Sequence, residues 1–451
     1  MSVQFDYTRK QLETIAQQAL GLARRVGGQA SAVEVSESNG LSVSTRNGEV
    51  ETVEHNRDKS LSVTVYVGKQ RGHASTSDFS DAALESTVRA AHDIAKYTAA
   101  DDCAGLPEKE YLVDANTAQQ DLDLYHPWSL TTPEAIQLAK ACEDAAYAAS
   151  KYIKNSEGGS VNTSSGHFIA AASSGFMGGF AYSRHSLGAM PIASKGREME
   201  RDAWFVSQRV PAKLASPEDI GAYAAHRAAS RLGAKKISSR TCPVLFDAPL
   251  ACGLIGHFAQ AISGSMLYRK TSFLLNGLDT QVFPRHIDIV DDPFIKQGMG
   301  SSYFDDEGVA TQRRTLIDHG VLQGYLLSVY TARKLNMTPT GNASGSHNFS
   351  LKSRRTKKTD DLGEMLRKLG TGLFVTELLG QGVNYVTGDY SRGVGGFWVE
   401  NGVIVHAVSE VTIAGNLKDM FMNISAVGAD ELVRGTKVTG SILLQKMTVA
   451  G

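Results

Sequence analysis

Between residues 8 and 26 the apolar positions Leu12, Ile15, Ala16, Ala19, Leu22 and Ala23 recur at i, i+3, i+4 and i+7, the spacing of one helix face. The chain therefore opens on a helix. From 31 to 77 the period shortens to two, as in AVEVSESNGLSVSTRNGEVETVEHNRDKSLSVTVYVGKQRGHAST, where Asn39-Gly40 and Asn47-Gly48 both match type I′ hairpin turns. This predicts an antiparallel meander of about five strands. Ser80 then caps a helix over 81–98 whose apolar stripe lies against that sheet. Residues 101–130, with CAGLPEKEY and HPWS, lack periodicity and read as a connector. Thr132-Pro133-Glu134 combines a cap, a proline in the first turn and an acid favoured by the dipole, and predicts a helix running to about Ile153. Alternation in the Gly- and Ser-rich SVNTSSGHFIAAASSGFMGGFAYSRHSLGAMPIAS predicts a second sheet. Ser216-Pro217-Glu218-Asp219 starts another helix, which Gly233 stops.

After AKKISSR the composition shifts toward Gly with β-branched and aromatic residues. CPVLFDA, TLIDHGVLQGYLLSVY, GLFVTELLG, GFWVENGVIVHAVSEVTIAG and TGSILLQKMTV have strand character, with turns at His319-Gly320 and Asn401-Gly402 and one helical pattern, TDDLGEMLRKLG. The expected fold class is α+β: N-terminal layers of helices on antiparallel sheets, then a mostly β domain, barrel-like or a curved sandwich. The expected division is an α+β domain over 1–100, a central α+β domain over 101–235 and a β-rich domain over 236–451.

Composition narrows the function classes. A chain of 451 residues can bury its core without staples, and its four cysteines, Cys103, Cys142, Cys242 and Cys252, form no CxxC pair and no disulfide framework. A reducing, cytoplasmic compartment fits best. The N-terminal stretch is broken by charges, and no run of about 18 apolar residues occurs, so neither an export signal nor a membrane span is expected. With a net charge of −1 and dispersed basic residues, the footprint of a nucleic-acid binder is missing. The one basic cluster, LKSRRTKK at 351–358, reads as a solvated loop.

Candidate chemistry centres on ACGLIGHFAQAIS, residues 251–263, a helix that follows the strand PVLFD, with Asp247 and Pro249 at its start. Metallopeptidase helices carry two histidines on one face and a glutamate beside them, because zinc takes neutral imidazoles and the glutamate deprotonates the bound water. Here only His257 is present. Phe258 stands where that glutamate would be, and Gln260, Ala261 and Ile262 follow. Cys252 lies about 140° around the helix from His257, so the two cannot share a metal on it. None of the twelve histidines forms an i, i+4 pair, and no GxxxxGK[ST] loop or GxSxG elbow appears. GDYSRG, 388–393, gathers an acid, a phenol, a hydroxyl and a guanidinium, and reads equally as an anion site or a structural turn. The acids of FDDEG, 304–308, read as a solvated hairpin corner ahead of a divalent-cation site.

Three longer runs carry a resemblance: FDDEGVATQRRTLIDHGVLQGYLLSVYTARKLNMTPTGNA, TELLGQGVNYVTGDYSRGVGGFWVENG and VSEVTIAGNLKDMFMNI, together with SVSTRNGEVETVE and SEGGS near the N-terminus. Over nearly its whole length the chain resembles the TldD/PmbA family, and within it the PmbA (TldE) branch. The resemblance implies a zinc-dependent peptidase built from two homologous subunits. TldD-type subunits hold the zinc with an HExxxH helix and a distant cysteine. In this chain the helix keeps only His257, a degenerate metal-site position, and the region matching the cysteine reads RGTKVTGSI, 434–442, with no cysteine. The resemblance thus implies a subunit with no catalytic residue and no cofactor of its own. It would pair with a TldD-type subunit that holds the zinc, and would act on unfolded peptides in the cytoplasm. The glycine-rich stretch around Gly382, Asp389, Tyr390, Ser391 and Arg392 is the candidate lining of a peptide cleft. Two other readings stand beside this one: a self-sufficient metallopeptidase with atypical ligands, and a non-enzymatic peptide-binding or regulatory homodimer.

Overall fold

Thr8 starts the first helix by local chemistry: its side chain accepts the Gln11 N–H, and the Gln11 side chain returns the bond in a capping box. The computed structural model describes residues 5–114 and 121–451. Part of the expected connector, 115–120, and the first four residues of the N-terminal stretch lie outside it. Helices α1 (Arg9–Arg25), α2 (Asp81–Tyr97), α3 (Thr132–Ala149) and α4 (Pro217–Ser230) cover an eight-stranded sheet. Its strands are β1 (Ala30–Arg46), β2 (Glu49–Val67), β3 (Gln70–Thr76), β4 (Ile153–Ala172), β5 (Met177–Gly178), β6 (Ala181–Lys195), β7 (Glu198–Arg201) and β8 (Trp204–Gln208). The main path runs β3-β2-β1-β4-β6-β7.

Residues 31–77 form three strands, not about five. Asn47-Gly48 is the hairpin turn, with φ of 51° and 77°. Asn39-Gly40 lies inside β1, opposite Arg57 and Asn56 on one side and Ser165 and Ser164 on the other. Gly40 serves close approach rather than a turn, since a Cβ there would sit 2.8 Å from the Thr163 carbonyl oxygen. The α3 cap is Thr131, one residue earlier than expected, and α3 ends at Ala149 because Ile153 already belongs to β4. β1 and β4 pair from Ala32↔Ala172 to Thr45↔Gly159, so one layer draws strands from both sides of position 100.

The period of two puts Val33, Val35, Val63, Val65 and Ile169 on the face covered by α1 and α2, and Leu41, Val43, Val161 and Leu187 on that face under α3 and α4. Between the helix pairs, Phe5 stacks on His167 at 3.9 Å, and the Asp6 and Tyr7 N–H groups donate to Glu37. The opposite face turns toward the C-terminal half.

That half holds β9 (Arg240–Phe246), β10 (Ile287–Asp292), β11 (Arg314–Asp318), β12 (Val321–Leu322), β13 (Asn348–Ser353), β14 (Gly372–Leu379), β15 (Asp389–Glu400), β16 (Val403–Asn416), β17 (Ile424–Val427), β18 (Leu432–Arg434), β19 (Lys437–Thr439) and β20 (Ile442–Ala450). The order β16-β15-β14-β9-β20 closes on itself through the β16–β20 pairing, giving a five-stranded barrel with β17 beyond β20. A second sheet runs β12-β11-β10-β13-β19-β18. The expected fold class, α+β with a barrel-like C-terminal part, is the observed one. His319-Gly320 and Asn401-Gly402 are left-handed pairs, as their turns require. Helices α5 (Ala248–Ala261), α6 (Gly264–Tyr268), α7 (Val329–Leu335), α8 (Leu362–Leu369) and α9 (Leu417–Met422) complete the half. The end of TLIDHGVLQGYLLSVY is therefore helical, because Ser328 and Thr331 form a capping box there. Among the described residues no helix is long and apolar enough to cross a membrane. All four cysteines are free thiols.

Candidate functional site

α5 follows β9 directly and runs into the main core of the C-terminal half. Asp247 occupies its N-cap position but makes no side-chain cap bond. Its carboxylate instead accepts from Arg227 of α4 at 3.1 Å, and burial raises its pKa against the pull of that arginine. Arg227 also pairs with Asp202 at 3.2 Å and donates to the Thr376 carbonyl. One turn later Arg231 pairs with Glu377 and, at 3.4 Å, with Glu200. This buried ion network ties α4 to the start of α5. The i, i+4 arginines on one helix face were its only trace in the sequence.

His257 Nδ1 shares a 2.7 Å hydrogen bond with the Tyr385 hydroxyl, and its ring meets Tyr390 edge to face at 5.9 Å. Burial, with a further push from Arg392, lowers the His257 pKa to about 4. Burial raises Tyr390 to about 12 and moves Tyr385 upward. At neutral pH the cluster is a neutral imidazole between two neutral phenols. It has no base poised near pH 7 and no nucleophile. What it does is hold the segment before β15 against α5, an attachment reinforced by the Phe273 N–H donating to the Tyr385 carbonyl at 2.7 Å.

The structure thus brings three of the sequence candidates together, His257, Tyr390 and Arg392, and adds Tyr385, which the sequence reading passed over in the same loop. The other candidates stand apart. Ser391 is exposed, and its N–H donates to the Gly382 carbonyl at 2.7 Å. A Cβ on Gly382 would run into the Ser391 carbonyl, so the glycine serves contact between two parts of the chain. Asp389 is held by Thr387 at 2.6 Å and Asn416 at 3.2 Å, bonds that lower its pKa. It caps a turn. β15 is paired on both sides, by β14 and β16, and offers no open ladder to an added strand.

On the far side of α5, Cys252 Sγ faces the Leu432 and Lys437 carbonyls of the β18–β19 hairpin at 3.6 and 3.7 Å, and burial raises its pKa. It therefore points away from His257. Phe258 is fully buried, with Phe283, Phe349 and Phe421 around it at 5.1, 6.1 and 6.0 Å, and Ile262 is fully buried as well. The FDDEG corner is solvated only in part: Asp306 is exposed and Glu307 half-buried. Asp305 is buried and accepts the Glu307, Val309 and Ala343 N–H groups, folding the loop around itself. Burial, then the negative Asp305, pushes the Glu307 carboxyl up to about 7 against the pull of Arg333.

Three family models match in succession: PmbA/TldA metallopeptidase domain 1 at residues 32–95, the central domain at 125–232 and the C-terminal domain at 239–451. Their order defines a class of metallopeptidases with a three-part chain. This chain belongs to the TldD/PmbA family, on its PmbA side. It is 46% identical over 449 residues to the protein named metalloprotease PmbA of Escherichia coli O157:H7, covering 99% of this chain and 98% of that one. A Bacteroides thetaiotaomicron crystal structure, of a candidate modulator of DNA gyrase, superposes with a TM-score of 0.92 at 28% identity, covering 98% and 99% of the two chains. TldE of Thermococcus kodakarensis shares the fold, with a TM-score of 0.82 at 18% identity and coverage of 97% and 100%.

The residues around His257 do not fit a catalytic zinc. A site of that kind needs about three protein ligands, and here one imidazole has its Nδ1 engaged by a phenol while the positions that could add a carboxylate and a second imidazole are sealed in the core. Among the described residues no group of three or more His, Cys, Asp or Glu is placed to hold a metal ion.

Proposed function

We propose that this chain is the zinc-free subunit of a two-subunit peptidase of the TldD/TldE type. In this reading a TldD-type partner holds the zinc, and the pair cleaves unfolded peptides in the cytoplasm. The observation that carries the reading is the fate of the α5 motif: Phe258 and Ile262 are packing residues with no exposed surface. The neutral His257 supports it, since a histidine bonded to Tyr385 contributes position rather than chemistry. The four free thiols agree with a reducing compartment. The chain's contribution is then surface, which completes the chamber around the partner's site and excludes water and folded proteins from it. The test is zinc content and cleavage of an unstructured peptide, measured for this chain, for a TldD-type partner and for the mixture. Cleavage by the mixture alone is expected, with zinc in the partner. Chelator-sensitive cleavage by this chain alone, lost in His257→Ala, would favour a self-sufficient peptidase.

A further inference from the structure

A cavity of about 400 Å³ lies on the face of the N-terminal sheet turned away from the four helices, roofed by residues 103–107, the Asp306-Glu307 corner and Tyr330 of α7. Strand register fixes its floor. Tyr66 of β2 pairs with Ala30 of β1 and Arg71 of β3, while four residues farther along β1 Glu34 pairs with Ser62 and Ala170. Residues two apart share a face, so Arg71, Tyr66, Ala32 and Glu34 all open onto this cavity. The floor between the two ends is Ala32, Ala170 and Ala172, small side chains that leave room above them.

The ends carry opposite charge. At one end stands Arg71, whose guanidinium has no hydrogen-bond or ion-pair partner among the described residues. At the other, Glu34 is equally without such a partner and is raised by burial and by the negative charge of Asp306; Glu307 is raised by burial and by Asp305 and Asp306. Arg333, which pulls on Glu307, is already committed, donating to the Cys103, Gly105 and Leu106 carbonyls and to Glu108. Of the other charged groups lining the cavity, Lys69 donates to the Asp102 carbonyl, and Asp101 is held by Lys334 and the Tyr330 hydroxyl. The acid end therefore gathers three carboxyls whose pKa values burial and mutual repulsion raise, and which an ammonium would stabilise in charged form; the basic end holds a free fork suited to a carboxylate.

Spacing sets the length of what bridges them. Four residues along a strand and two strand separations across put the Arg71 and Glu34 Cα atoms roughly 17 Å apart, and a guanidinium and a carboxyl extended toward each other would narrow that span to about 7–10 Å. An extended chain covers about 3.4 Å per residue, so two or three residues reach from end to end. We propose that this cavity binds a short peptide of two or three residues by its free termini, the ammonium against Glu34, Asp306 and Glu307 and the carboxylate against Arg71. The site shares no residue with the His257 cluster, and binding here needs neither partner nor catalysis. It therefore stands or falls separately from the proposed function.

The test is isothermal titration calorimetry on the full chain with alanine, Ala-Ala, Ala-Ala-Ala and Ala-Ala-Ala-Ala-Ala, and with N-acetylated and C-amidated tripeptide. Saturable one-to-one binding of the di- or tripeptide is expected, weaker for alanine and the pentapeptide. Blocking either terminus should weaken it about tenfold or more, the loss of one charge-assisted contact. Arg71→Gln should abolish discrimination against the amide while keeping discrimination against the acetyl group, and Glu34→Gln should do the converse. Neither side chain makes a hydrogen bond or ion pair among the described residues, and both residues keep surface open to solvent, so both variants should fold. The proposal is overturned by lack of saturation at millimolar peptide, by blocked peptides binding as well as free ones, or by putrescine competing as strongly as the tripeptide, which would mark a site for cations alone.

Discussion

Restoring the missing glutamate beside His257 should cost the protein its C-terminal core. In Phe258→Glu the lost side chain is fully buried among Phe283, Phe349 and Phe421. Truncating such a phenylalanine costs about 3–5 kcal/mol. The new carboxyl would have no polar partner in that aromatic cluster and would have to stay protonated. Holding a proton at pH 7 on a group with an ordinary pKa near 4.5 costs roughly 3 kcal/mol more. The sum, about 6–8 kcal/mol, rivals the whole stability of an ordinary domain. Because the second part vanishes near pH 4.5, the variant should regain about 3 kcal/mol relative to wild type between pH 7 and pH 4.5. Phe258→Leu, which keeps the core apolar, should lose only about 1–2 kcal/mol at either pH. Urea unfolding followed by circular dichroism at the two pH values, with zinc measured in the folded fraction, reads all of this. A Phe258→Glu protein destabilised by under about 2 kcal/mol at pH 7 and carrying one zinc per chain would refute the reasoning, since α5 would then tolerate a metal-site glutamate.

Other consequences follow from single positions. His257→Ala should leave peptide cleavage by a mixture with a TldD-type partner within a few-fold of wild type; complete loss would make the histidine a participant in the chemistry. Glu307 has a folded pKa of about 7, above its ordinary value, so its contribution to stability is present at low pH and is lost as pH rises through about 7. Glu307→Gln should accordingly raise the melting temperature at pH 8, by up to roughly 3 kcal/mol of stability, and leave it nearly unchanged at pH 4; an equal gain at both would contradict the assignment. Gly72→Ala should loosen α2, because a Cβ there would run into the Ala91 carbonyl, and hydrogen exchange in α2 should quicken while exchange in α5 stays as it was. Arg227→Met leaves Asp247 buried without its cation and should destabilise by about 3–5 kcal/mol in thermal melts.

What could be read before the structure was chemistry carried by neighbouring residues. Ser80 and Ser216 cap helices through an N–H three residues on, and Asn47-Gly48, His319-Gly320 and Asn401-Gly402 turn because their own backbones accept positive φ. The period of two in β1 and the opening helix were legible for the same reason. Asn39-Gly40 carries the same signal as Asn47-Gly48 and means something else, since its role is set by Thr163 on β4, a partner no local window contains. His257 could be singled out by its solitude on α5, yet not its bond to Tyr385, which joins residues 128 apart. The acids of FDDEG looked alike in the sequence, yet Asp306 is exposed while Asp305 and Glu307 accept backbone N–H groups from Ala343 and Val329, partners no local window contains.

The pairing of β1 with β4 also has a kinetic meaning. β1 ends at Arg46, and its neighbour on that side begins only at Ile153. On a ribosome adding about 5–20 residues per second, β1 would wait roughly 5–20 s for that neighbour, with a ladder of backbone groups open to any passing strand. The first two family domains therefore cannot mature one after the other as beads on a string; the nascent chain holds an unfinished edge until the second arrives. Long-range pairing of this kind slows folding, and it makes the interval before β4 emerges the time when a chaperone or a second nascent chain has most to gain.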